Sequence, residues 1–243
     1  METPPTPKLV GQRVADADAI VRPRPDNHFA SQLRGFAFLG ILAIVVIFAG
    51  NYVLTPIGAV LALVWTWLSN TPWREIGYVR PTSWPRDIAI GVIFGTLLKF
   101  LMKAVVMPPL GAPDINPAYH FLAGNAPLAL RMVAIVVIFA GFGEETFYRG
   151  YLFERLGKLF GSSVWAKVAI VAITSAFFAS VHYGDQGLPG VEQAAFTGLA
   201  FGSVFARTGR IFMLMVAHAA FDLTALGIIY WDVEAEVAHL IFK

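Results

Sequence analysis

Apolar residues come in long runs along most of this chain. Runs near 35–51, 54–69, 88–107, 130–155, 164–183, 190–207 and 211–231 read as helices crossing a bilayer. A span needs about 20 apolar residues at 1.5 Å rise each. The first two runs are short and meet around Asn51, so they form either a tight hairpin or one longer broken element. Ahead of them, residues 1–30 carry Pro4, Pro5, Pro7, Pro23 and Pro25 with scattered charges, the signature of a disordered tail. Trp73-Arg74-Glu75-Ile76-Gly77-Tyr78 is amphipathic and suits the membrane surface, and Pro81 and Pro85 stop any helix there. The fold class expected is an all-α polytopic transmembrane bundle of about seven spans. Its divisions are a disordered cytoplasmic tail over 1–30, membrane helices and an interfacial linker over 31–87, and a functional core over 88–243.

Composition agrees with lipid as the solvent. Hydrophobic residues make up 57% of the 243 and charged residues 14%, with a mean hydropathy of +0.65. A soluble domain carries about 25% charged residues. The 20 Phe and 6 Trp fit lipid-facing surfaces and interfacial belts. A net charge of +2 is too small to imply a nucleic-acid partner, and the absence of Cys excludes disulfides and thiolate chemistry. Gly91-x-x-x-Gly95 and Gly198-x-x-x-Gly202 allow helices to approach closely.

The cations give an orientation. Lys8, Arg13, Arg22, Arg24 and Arg34 lie in or beside the tail, and Arg74, Arg80 and Arg86 follow the second run. Arg149, Arg155, Lys158 and Lys167 surround the fourth-to-fifth connection, and Arg207 and Arg210 make the last turn. Stretches 108–127 and 183–190 have no Lys or Arg. This alternation predicts a multi-pass cell-membrane protein with its N-terminus cytoplasmic and its C-terminus outside. Lys99, Lys103 and Arg131 break the rule and are expected to snorkel to the outer interface.

Ionisable residues inside the runs are the candidate chemistry, because each costs about 2.5–3.5 kcal/mol to insert at a helix centre. Three groups stand out. In Glu144-Glu145-Thr146-Phe147-Tyr148-Arg149, Glu145 and Arg149 are four apart and can pair on one helical face. Glu144 points about 100° away and is free to meet a cavity. That division suits a structural pair beside a working base; the competing reading puts all three in water at the end of the span. In Phe178-Ala-Ser-Val-His182, Phe and His share a face. In His218-Ala-Ala-Phe-Asp222, two polar side chains share one stripe near the middle of the last run. The Gly-x-Ser-x-Gly and His-Glu-x-x-His signatures are both absent. A free Glu with a His could activate water against a carbonyl carbon, and a second His with an Asp could stabilise the oxyanion. The same Glu144, His182 and His218 could instead hold Zn²⁺ with water as fourth ligand. No cofactor is otherwise implied. Residue types alone leave these two mechanisms open.

The three motifs, in this order on successive hydrophobic helices, resemble those of the CPBP intramembrane proteases. That family includes the type II CAAX prenyl endopeptidases and relatives linked to bacteriocin self-immunity. The resemblance covers roughly residues 88–231 and says little about 1–87. It implies that Glu144 and His182 activate water, that Glu145 and Arg149 are a structural pair, that Phe178 packs beside the site, and that His218 and Asp222 stabilise the intermediate. The family often has Asn where this chain has Asp222. An ionised Asp cannot donate to an oxyanion, so Asp222 is expected to orient His218. The activity implied is endopeptidase cleavage of a membrane-associated peptide or protein, near the C-terminus of a lipid-modified or membrane-bound substrate. Two other functions compete: a catalytically silent immunity or scaffold protein, and a transporter or proton relay that uses the buried Glu, His and Asp. Glu144 precedes a cationic connection whereas His182 precedes an uncharged one, so the two meet only near mid-depth. That requirement predicts that Gly184–Gly190 is packed within protein.

Overall fold

A computed structural model describes residues 27–242, and these are helical with no strand among them. The tail expected over 1–30 lies outside the described residues as far as 26. Its last residues do not fit that expectation: α1, His28–Arg34, is already helical, capped where the Asn27 side chain accepts from the Ala30 N–H at 2.8 Å.

After α1 come α2, Phe38–Val53, and α3, Thr55–Leu68. They break at Leu54, which is extended, and Pro56 sits in the first turn of α3, where a missing N–H costs nothing. The pair is therefore a hairpin, the first of the two arrangements expected. A linker with a short 3₁₀ turn, Trp73–Ile76, leads to α4, Trp84–Val106. The loop that follows reaches α5, Ala126–Phe160, then α6, Val164–Val181, α7, Tyr183–Thr208, α8, Phe212–Tyr230, and α9, Glu234–Ala238.

Four of these helices, α4, α5, α6 and α8, are long and apolar enough to cross a membrane. The bent pair α1–α2, with 57° between its parts, would make a fifth. About seven spans were expected. The difference lies in α2 and α3, at 16 and 14 residues, and in α7, which kinks at Gly187 (φ 61°, ψ −155°) before Pro189. Gly184–Gly190 also departs from expectation. The segment is helical up to that kink, but Gly184, Asp185 and Leu188 are exposed and only Gly190 is buried.

Both small-residue motifs are used. A Cβ on Gly91 would come 2.7 Å from the Met213 carbonyl oxygen, and one on Gly95 would overlap the Ala217 backbone, so α4 and α8 meet at backbone distance. A Cβ on Gly198 would sit 3.0 Å from the Ser175 side chain, which brings α7 against α6. The hairpin packs on α5 through aromatic pairs, Phe48 on Phe147 at 5.2 Å and Trp65 on Tyr151 at 5.2 Å. The close α4–α8 contact positions two walls of the site described next. Gly95→Leu is expected to destabilise the fold by about 1–3 kcal/mol through overpacking. A thermal melt in detergent checks this, and an unchanged Tm would show that α4 does not rest on α8 at this point.

Candidate active site

The first motif lies in an unusual winding. Val136–Tyr151 of α5 is π-helical, with i→i+5 bonding, a geometry that otherwise comes in single turns and often at functional sites. Gly141 and Gly143 open this stretch, and from Glu145 to Tyr151 every residue is buried. The wide turn carries both glutamates toward α8.

There, one imidazole joins the motifs. Glu145 Oε1 lies 2.7 Å from His218 Nδ1 and 3.0 Å from Arg149 NH1. Glu145 is wholly buried and Arg149 is 1% exposed, so the guanidinium and the carboxylate neutralise each other out of water. The Arg149 contact is at ion-pair distance but outside hydrogen-bond geometry. Its guanidinium instead lies over the rings of Phe178, at 4.7 Å, and Phe201, at 5.7 Å. With a carboxylate at Nδ1, His218 donates its Nδ1–H there and turns Nε2 toward Glu144 Oε2, 3.5 Å away, and Asp222 Oδ2, 3.8 Å away. Glu145, and not Asp222, therefore orients His218. Asp222 faces the reactive nitrogen and the cavity, because four residues along α8 carry it past the far edge of the ring.

His182 caps the C-terminus of α6. Its Nδ1 is 2.8 Å from the Phe178 carbonyl oxygen, which acts as acceptor and leaves Nε2 free to face the cavity. Phe178 is a shared plate: its ring is 4.6 Å from that of His182 and 5.8 Å from that of His218. His182 and Glu144 face the same cavity.

Glu144, His182, His218 and Asp222 all line one cavity of about 430 Å³. That volume falls within the range of about 300–1,000 Å³ usual for ligand sites. The Glu144 side chain is 20% exposed and that of Asp222 32%, both toward this space, against 5% for His218. The walls are largely apolar, from α4, α5, α7 and α8, and the outer end is covered by the 107–122 loop and α9. Glu234 of α9 pins that cover. It is 2% exposed, accepts from the Asn116 N–H at 2.9 Å and meets His120 Nδ1 at 3.2 Å, with Lys103 at 4.0 Å. Behind the glutamates, outside the cavity lining, the hydroxyl of Tyr78 from the linker pairs with Thr146 Oγ1 at 2.7 Å. Burial pushes the Tyr78 hydroxyl up to about 12, so it keeps its proton at any physiological pH.

Among the described residues, no three His, Asp or Glu side chains are grouped to hold a metal ion. Glu144, His182 and His218 share the cavity without converging on one point, and His218 Nδ1 is already bonded to Glu145.

Sequence reasoning missed two members of the site and misplaced a third. Phe201, fully buried, lies 5.1 Å from the His218 ring, and its place one residue before Gly202 on the packed face of α7 was the available signal. Gln193 lies on the same helix. Lys99 was noticed but expected to snorkel; it is 7% exposed and faces the cavity from α4.

The described helices also match a known family. Residues 126–224 fit the family model described as type II CAAX prenyl endopeptidase Rce1-like, a stretch that includes all three motifs. No curated protein and no solved structure matches the chain. That match supports the CPBP/CAAX protease family for the part of the chain that carries the Glu144–Arg149, Phe178–His182 and His218–Asp222 motifs.

Proposed function

We propose that this protein is an intramembrane endopeptidase that hydrolyses a peptide bond with water activated by Glu144 and His182. The observation that carries the reading is the division of labour around His218. One carboxylate, Glu145, is buried and spent on Arg149 and Nδ1, while a second, Glu144, stands at Nε2 and opens to the cavity.

The reaction follows from these positions. Glu144 takes a proton from a water held between it and His182. The water oxygen bonds to the substrate carbonyl carbon, and the carbonyl π pair moves to oxygen. His218, held as imidazolium by Glu145, donates from Nε2 to that oxyanion, a role that requires protons on both ring nitrogens. Asp222, beside Nε2, supports the imidazolium. The C–N bond then breaks, and the amine leaves with the proton held by Glu144. No step needs a metal, and a Zn²⁺ requirement is decided by the chelator arm of the test below.

The partners inferred are the lipid bilayer and a membrane-associated peptide or protein cleaved near its C-terminus, with a lipid modification a matter for the substrate panel. We infer that all seven apolar helices, α2 to α8, cross the membrane, with the N-terminus cytoplasmic and the C-terminus outside. The Lys and Arg asymmetry supports that orientation.

The experiment is cleavage of membrane-inserted peptides, prenylated and plain, by purified full-length protein in lipid nanodiscs. New termini would be identified by mass spectrometry. Wild type is expected to cleave, with His182→Ala and His218→Ala slowed by about 10²-fold or more. Loss with chelator and recovery with Zn²⁺ would select the metal mechanism. Absence of new termini from wild type across the panel would sink the protease reading in favour of a silent or transporting protein.

A further inference from the structure

Among the described residues, Lys99 is a charged side chain of the cavity wall that the reaction above does not use and that no carboxylate contacts. It sits on α4, inside the candidate span Trp84–Val106, and is 7% exposed. A cation at such depth is costly unless it is paired or put to use. Its Nζ donates to Gln193 Oε1 at 2.9 Å and lies 4.9 Å from the Phe221 ring. Gln193 is neutral, and among the described residues no carboxylate comes within ion-pair distance of Nζ. An ammonium has three protons to donate. One is spent on an amide, and the side chain borders the same space as Glu144 and Asp222.

Lys103, one turn further along α4, makes the contrast. Its Nζ donates to the Asp114 carbonyl oxygen and has Glu234 at 4.0 Å, so it is tied into the cover over the cavity. Lys99 has a scaffold that orients it, Gln193 on one side and Phe221 on the other, and no anion in contact; Asp222 and Glu234 act on it only from beyond ion-pair distance. Phe221 is the neighbour of Asp222, so the ammonium stands beside the catalytic stripe of α8.

We propose that Lys99 and Gln193 form an anion subsite of the cavity, which takes an oxyanion group of the bound ligand. A carboxylate or a phosphate oxygen would accept from Nζ, and the Gln193 amide N–H would supply a second donor. Two sources carry this chemistry in a membrane cavity: the terminal carboxylate of a peptide and the headgroup phosphate of a lipid. The proposal deepens the protease reading and rests on it for placing a peptide in this cavity.

The test is binding to full-length Glu144→Gln protein in phosphatidylcholine nanodiscs. The probes are a fluorescent apolar peptide with a free C-terminal carboxylate and the same peptide as its C-terminal amide. The acid is expected to bind about tenfold tighter than the amide or better, the worth of one charge-assisted hydrogen bond. Lys99→Met should bring the acid down to the amide's affinity and leave the amide unchanged. Lys99→Arg should keep the preference. Removing a buried charge that no anion contacts should leave the Tm unchanged or raise it. A lowered Tm with the acid preference intact would mark Lys99 as structural and overturn the proposal. Phosphatidic acid in the discs forms the second arm. Displacement of the acid probe from Lys99 protein but not from Lys99→Met would assign the subsite to lipid phosphate as well. Equal binding of acid and amide, with no effect of phosphatidic acid, overturns the proposal whether or not wild type cleaves. A Lys99-dependent acid preference in a protein that cleaves nothing would leave the subsite standing and remove the protease reading.

Discussion

Glu144→Gln is expected to cut turnover by about 10²–10⁴-fold while leaving the melting temperature where it was. Glu144 is the carboxylate that the fold does not need. Among the described residues, its ion-pair contact is with His218 Nε2 at 3.5 Å, longer than a typical hydrogen bond, and its side chain is 20% exposed into the cavity. Gln keeps the shape and loses only the ability to take a proton, so the loss should fall on kcat with little change in KM. The measurement is a steady-state assay paired with a thermal melt of the same preparation. Undiminished turnover would remove Glu144 from the mechanism, and a large fall in Tm would mean that its charge supports the fold. Glu145→Gln should behave differently, because Glu145 holds Arg149 and His218 at once.

That contrast between adjacent glutamates was partly legible in the sequence. Spacing within one helix put Glu145 with Arg149 and freed Glu144, and both assignments match the geometry. Spacing could not show what the neighbouring helix brings. His218 lies 73 positions beyond Glu145, and only tertiary packing decides which of three carboxylates takes Nδ1. Asp222, four residues from His218 on the same helix, looked like the natural partner on sequence. Helical pitch instead places it beyond the other edge of the ring, at Nε2. The π-winding of Val136–Tyr151 was equally hidden, because the apolar pattern there is compatible with an α-helix. For Lys99, a rule based on interfaces predicted a snorkelling side chain, whereas the close α4–α8 contact at Gly91 and Gly95 turns that face of α4 toward the cavity. The cover over the site depends on pairs such as Asn116 with Glu234, 118 positions apart, which no local pattern announces.

Breaking the buried pair one partner at a time is expected to cost far more than removing it whole. Glu145→Leu strands the Arg149 guanidinium, 1% exposed, without an anion, and should destabilise the protein by about 3–5 kcal/mol. Arg149→Met leaves Glu145 wholly buried with only the His218 proton against its charge. Its cost should be similar, and it also gives up the contacts with Phe178 and Phe201. The double variant Glu145→Leu/Arg149→Met buries apolar groups of similar size and leaves no stranded charge. It should recover most of the stability lost by either single change, so the coupling energy in the double-mutant cycle should be at least as large as one single loss, about 3–5 kcal/mol or more. Activity should not recover, because His218 then has no acceptor at Nδ1, and neither the tautomer nor the direction of Nε2 is fixed. Denaturant unfolding in mixed micelles measures the first quantity and the cleavage assay the second. Strictly additive stabilities would mean that Glu145 and Arg149 are not coupled as their 3.0 Å contact requires. A double variant that cleaves at the wild-type rate would mean that His218 needs no carboxylate behind it, and the role assigned to Glu145 would fall.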